Sequence, residues 1–186
     1  MNRRPSIASV CLVSLAVAAL AACGKAEEKV SQKAAEKMIE SAIEKDGSKA
    51  KVELAEGSTK VTTTDASGKT SQFEMGGAKV GEADVGVPFY PGAELAEGQS
   101  SKISTPDGSM VTVQLHSADA ADKVAAFYRD KLKAQSEGKQ LMDMSSDGNA
   151  TLMLADEKAK TGVQVHVNKA EKGTDIQIVA HRGAAK

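Results

Sequence analysis

Apolar and polar positions follow three successive patterns along the chain. From Ile7 to Ala22 they are almost uniformly apolar. From Val30 to Ile43 the apolar positions Val30, Ala34, Ala35, Met38, Ile39, Ala42 and Ile43 recur three and four apart, which predicts an amphipathic helix closed by Gly47. Its stripe is narrow and made of small residues, suited to docking on a sheet. Glu36, Glu40 and Glu44 stand four apart on its charged side and read as an acidic, solvated face. From residue 51 onward the period shortens to two. Val52 and Leu54, Val61 and Thr63, and Phe73 and Met75 alternate with polar residues. Turns at Glu56-Gly57 and Asp65–Gly68 separate them, so a small antiparallel meander is expected. Gly76-Gly77 and Gly81–Gly86 then read as a linker, with a boundary near residue 82.

The second stretch opens with Val87-Pro88-Phe89-Tyr90-Pro91-Gly92-Ala93, where two prolines exclude a helix or a central strand. Strands are expected near Gly98–Ser104 and Met110–His116. A helix follows, with Ser117 as its N-cap, Asp119 and Asp122 near its positive end, and Val124, Phe127, Tyr128 and Leu132 on one face. Four further strands are expected at Gln140–Ser145, Ala150–Ala155, Gly162–Asn168 and Thr174–His181. The last two form the clearest hairpin. A four-residue loop from Ala170 to Gly173 sets Val163, Val165 and Val167 on one face with Ile176, Ile178 and Ala180. The predicted fold class is therefore α+β. An N-terminal helix and small antiparallel meander precede a β-β-α-β-β-β-β module in which one helix packs on an antiparallel sheet. The domains expected are residues 1–22 as a removable leader, 23–82 as tether, helix and meander, and 83–186 as the α+β module.

The leader is itself readable. Arg3 and Arg4 precede an apolar run whose 16 residues, Ile7 to Ala22, would span about 24 Å as a helix. That is short of the roughly 20 residues a bilayer-spanning helix needs. Leu20-Ala21-Ala22-Cys23 closes the run and resembles the lipobox of a bacterial lipoprotein signal peptide. The resemblance implies that the Cys23 thiol receives a diacylglyceryl group, that cleavage exposes its amino group, and that a further acyl chain can be added there. Two acyl chains suffice for stable anchoring, where one gives only marginal binding. Gly24 stands where an Asp would retain an enteric lipoprotein in the inner membrane, so the resemblance favours the outer membrane, facing the periplasm. Residues 88–93 and the Phe127-Tyr128 pair also resemble uncharacterised envelope lipoproteins that carry a Pro-x-Tyr-Pro-Gly-Ala segment and a later Phe-Tyr helix. No activity comes with that likeness.

Composition narrows the function classes. Loss of residues 1–22, which carry Arg3 and Arg4 and no acid, takes the formal net charge from −1 to −3. That balance offers nothing for a nucleic-acid backbone. Cys11 leaves with the leader and Cys23 is spent on lipid, so the mature part has no thiol pair for a disulfide. With no Trp, three Phe and two Tyr, the core must be built from Val, Ile, Leu, Met and Ala.

Few constellations suggest chemistry. Gly68-Lys69-Thr70 lacks the upstream Gly of a phosphate loop, that position being Thr63. His116, His166 and His181 fall on different strands or rows, with His166 opposite Gln177 and His181 opposite Gly162, so no metal site is expected from them. Met110, Met142, Met144 and Met153 admit two readings, gap-filling in the core or thioether ligation of reduced copper. A three-residue Asp147–Asn149 loop would turn Met142 and Met144 to the core and Met153 away. A two-residue Asp147-Gly148 loop would put Met142, Met144 and Met153 on one face. Phe89, Tyr90, Phe127 and Tyr128 form either a shallow candidate groove or a pin that holds the Pro-rich segment on the helix, and the pin is favoured. Neither a catalytic residue nor a cofactor is expected. The sequence reading is a non-enzymatic binding or adaptor module, anchored in the membrane through acylated Cys23 and engaging another envelope component. A periplasmic module for a small molecule or metal is the alternative.

Overall fold

A computed structural model describes residues 25–44 and 47–184. The leader, Leu20, Ala21, Ala22 and Cys23 lie outside the described residues. By contacts the chain divides after Ala35. Helix α1, Lys25–Ile43, contributes its first half to the first unit and its second half to the second. All that follows concerns the second unit.

Ten strands dominate that unit. They are β1 Lys49–Ala55, β2 Ser58–Thr64, β3 Thr70–Gly76, β4 Glu94–Leu95, β5 Ser100–Thr105, β6 Gly108–Ser117, β7 Gln140–Ser146, β8 Asn149–Asp156, β9 Thr161–Lys169 and β10 Thr174–Gly183. Two helices join them, α2 Glu82–Val85 and α3 Ala121–Ala134. The strands form one sheet in the order β1-β2-β3-β5-β6-β10-β9-β8-β7, with β4 added beside the end of β6. Every named strand pair is antiparallel.

The α+β expectation is overturned. Helix makes up only about 21% of the chain, and the meander is not a separate layer. Its last strand β3 pairs with β5 across the glycine-rich linker, through Phe73↔Ile103 and Glu74↔Lys102, so one sheet runs through both halves. The physical reason is that β3 carries an unpaired edge, and an edge strand gains a ladder of hydrogen bonds by pairing with the next strand the chain supplies. Two glycines at Gly76-Gly77 change the chain's direction without ending the sheet.

The core lies on one face of the central strands. Val111, Val113 and Leu115 of β6, Ile176, Ile178 and Ala180 of β10, Val163, Val165 and Val167 of β9, and Leu152 and Leu154 of β8 are buried there. The β9–β10 register is the one the alternation predicts, with Ile176↔Val167 and Ile178↔Val165 around a loop from Ala170 to Gly173. Over this face lie Val124, Ala125, Tyr128 and Leu132 of α3, together with Val85 of α2 and its flanking Val80 and Val87. Ser117 is not the cap of α3. Strand β6 runs through it, pairing Ser117 with Thr174, and the helix starts after Ala120 with no side-chain cap.

The acidic side of α1 has a structural task that its reading as a solvated face missed. Glu36 Oε1 accepts from the Leu54 amide at 2.8 Å, Glu40 Oε1 from Val52 at 2.8 Å, and Glu44 Oε1 from Ala50 at 3.3 Å. Four helix residues rise about 6 Å and two strand residues about 6.7 Å, so acceptors spaced by four match donors spaced by two. Helix and strand run in opposite directions, and the three carboxylates take the place of a missing neighbour strand along β1. Glu36→Ala, Glu40→Ala and Glu44→Ala together should uncover that edge, at about 1 kcal/mol per lost bond. Hydrogen exchange at Val52 and Leu54 should speed up about fivefold each, and the protein should self-associate more readily. Unchanged exchange at both amides would show that the glutamates do not guard the edge.

Candidate binding surfaces

Of the four aromatics read as either a groove or a pin, the structure brings Tyr90, Phe127 and Tyr128 together edge to face, and Phe89 packs against the same core. Tyr90 and Phe127 meet edge to face at 5.2 Å between centroids, as do Phe127 and Tyr128 at 5.1 Å. Tyr128 is wholly buried and Tyr90 nearly so, while Phe89 and Phe127 are half-covered against the core. The Tyr90 amide donates to the Tyr128 hydroxyl at 3.1 Å, which ties the Pro-rich segment to α3. Burial raises the Tyr128 phenol well above the usual tyrosine range.

Asp119 is the residue sequence reasoning undervalued. Its carboxylate accepts from the Tyr90 hydroxyl at 2.6 Å and from Lys123 Nζ at 2.9 Å, and its carbonyl accepts from the buried Thr174 hydroxyl at 2.7 Å. One loop residue thus joins the Pro-rich segment, α3 and β10. The Tyr90 bond, then Lys123, holds the Asp119 carboxyl below its ordinary range. The same bond raises the Tyr90 phenol. No local pattern announces such a residue, because its three partners are 4, 29 and 55 positions away.

A second polar cluster sits where α3 crosses the β7–β8 hairpin. Arg129 donates from Nε and Nη2 to the Asp143 carboxylate and from Nη2 to Ser145 Oγ. Arg129, then Ser145, keeps the Asp143 carboxyl low. Beside it a cleft of about 290 Å³ is lined by Asp122, Arg129, Ser145, Asp147 and Asn149 among others.

The sheet face opposite the core is the more extensive feature. Cα partners place Val61, Phe73, Ile103, Met110 and His181 in one row across five strands. Phe73 is 37% exposed, Met110 45%, and Met75 of the next row 61%. A shallow depression of about 420 Å³ is lined there by Ile103, Met110, His181, Arg182 and Lys160 among others. The three histidines are on the same face, in three different rows. His116 Nδ1 lies 2.9 Å from an Asp175 oxygen, His166 Nδ1 is 3.1 Å from Thr151 Oγ1, and His181 stands opposite Gly162. Among the described residues no three His, Cys, Asp or Glu side chains converge on a metal position, and no buried side-chain polar atom lacks a partner.

Residues 98–175 match the model of a family described as START domain-like. The match runs from the start of β5 through α3 to the first residues of β10 and covers less than half of the chain. START-like domains are in general binding modules, and the match is compatible with a binding role for this sheet and its helix. No curated protein and no solved structure matches the chain.

Proposed function

We propose that this chain is a cell-envelope lipoprotein whose folded part is a non-enzymatic binding module, held through acylated Cys23 at the outer membrane and facing the periplasm. The anchor is supported by Leu20-Ala21-Ala22-Cys23 behind Arg3 and Arg4. The binding role is supported by the START-like match and, above all, by the uncovered sheet face. A sheet normally buries one face and solvates the other with polar residues, whereas here Phe73, Met75 and Met110 stand exposed on the face away from the core. Contiguous exposed apolar side chains mark interaction surfaces. The ligand is accordingly another envelope component with an apolar contact surface. The net charge of the mature chain gives no reason to expect nucleic acid.

Two measurements test the two halves. Cys23→Ser should abolish acyl incorporation and leave an unprocessed precursor, and processing unchanged in that variant would sink the anchor. Crosslinking in living cells followed by capture of the tagged full-length protein should recover one dominant envelope partner. Phe73→Glu with Met110→Glu, both on exposed positions, should lose it. Equal recovery from that variant would exclude this face.

A further inference from the structure

The β7–β8 loop has two residues, Asp147 and Gly148, because Ser146 pairs with Asn149. That register decides where the methionines point. Met142 is the Cα partner of Met153, and Met144 is the partner of Thr151. Thr151 is in turn the partner of His166 on β9, and Met153 the partner of Gln164. Alternation puts Met142, Met144, Met153 and His166 on the face opposite the buried Leu152, Leu154 and Val165. Met142 is 47% exposed and Met144 53%. These methionines do not fill the core.

We propose that Met142, Met144, Met153 and His166 form a surface site for a soft monovalent metal ion of the copper(I) class. Directly opposed side chains on antiparallel strands start about 5 Å apart at Cβ and diagonal ones about 7–8 Å. Met142 directly faces Met153 and Met144 is diagonal to it across β7 and β8, while His166 is diagonal to Met153 across β8 and β9, so each of the other three donors stands within reach of Met153. The donor chemistry selects the ion. Thioether sulfur and imidazole suit copper(I), while hard cations need carboxylate or carbonyl oxygens. Asp143 and Asp156 point to the other face by the same alternation, and the Glu157 carboxylate at the rim is taken by Gln140 Nε2 at 2.9 Å. The rest of this patch is polar or small: Gln140, Ser146, Thr151, Ala155 and Gln164. Unlike the row through Phe73 and Ile103, this patch holds no aromatic or branched apolar side chain, and its large apolar groups are thioethers. His166 is also oriented. Its Nδ1 is engaged by Thr151 Oγ1 at 3.1 Å, leaving Nε2 without a hydrogen-bond partner among the described residues. Such an outer bond fixes the tautomer of a metal-ligating histidine. The site does not depend on acylation or on the apolar row through Phe73 and Met110.

The test uses the full chain carrying Cys11→Ser and Cys23→Ser, so that no thiol competes, purified in detergent. Copper(I) is offered without oxygen as its bicinchoninate complex, and silver(I) serves as a redox-inert probe. The protein should withdraw one equivalent of copper(I) from the chelator. Met142→Leu, Met144→Leu or Met153→Leu should each weaken binding at least tenfold, with unchanged circular dichroism, and His166→Gln should also weaken it. Silver(I) should shift the methyl resonances of Met142, Met144 and Met153 and leave those of Met38, Met75 and Met110 in place. The proposal fails if no copper leaves the chelator, if the triple Leu variant binds as well as its parent, or if the shifts fall on the other methionines.

Discussion

Tyr128→Ala is expected to lower the unfolding free energy by about 3–5 kcal/mol, the range for truncating a buried aromatic residue. Tyr128 has no exposed surface and is the largest such side chain in the core. It packs against Phe127 from its own helix, and its hydroxyl accepts the Tyr90 amide at 3.1 Å. Truncation leaves a cavity under α3 and also removes the acceptor for a buried amide. Tyr128→Phe separates the two effects. It keeps the ring and deletes only the acceptor, at about 1–3 kcal/mol for the amide left unpaired. Urea titration of both variants, with an unchanged dependence on denaturant, measures the difference. Equal losses would mean that the hydroxyl, not the packing, carries the contribution. A loss under about 1 kcal/mol in Tyr128→Ala would mean that this seam is not tightly packed.

Gly173→Ala is expected to be comparably damaging for a different reason. Gly173 ends the β9–β10 loop with φ of +79°, and a Cβ built there would lie 2.0 Å from the Ser117 carbonyl oxygen. The loop is pressed onto the β6–α3 connection, where Thr174 bonds to the Asp119 carbonyl. Left-handed backbone costs an L residue about 1–2 kcal/mol, and an overlap that moves backbone adds about 1–3 kcal/mol. Gly148→Ala is the control. Gly148 also has φ of +79°, but its added Cβ would come no closer than 3.7 Å to Lys169. It should show the conformational cost alone, about 1–2 kcal/mol. Equal stability of the two variants would rule out the close approach at Ser117.

The strands other than the two-residue β4 were legible because they are bounded by turn residues and most carry a period of two. In β9 and β10 the alternation of Val163, Val165 and Val167 with Ile176, Ile178 and Ala180 fixes face and register together. Where the polar alternation is ambiguous, the reading stops short. Met142, Met144 and Met153 change face with a one-residue difference in loop length, and nothing local chooses between the two. The structure chooses, by pairing Ser146 with Asn149. The fold class failed at the glycine linker, since composition marks a change of direction without saying which edges then meet. Asp119 was legible only as an acid near a helix start, for its partners come from the Pro-rich segment, α3 and β10.

By itself the sequence determined the local preferences: an amphipathic α1, short alternating strands, a Pro-rich segment barred from the ladder, and the Leu20–Cys23 pattern on which the anchor proposal rests. These depend on neighbours within a few residues, where backbone sterics and side-chain period act. The tertiary structure alone decided which edges pair, so that β3 joins β5 and one sheet results. It also decided that Glu36, Glu40 and Glu44 meet β1, and that the aromatics close into a seam while Phe73, Met75 and Met110 remain in solvent. Those outcomes follow from hydrogen-bonding and burial demands summed over distant segments, and no window of the sequence contains that sum.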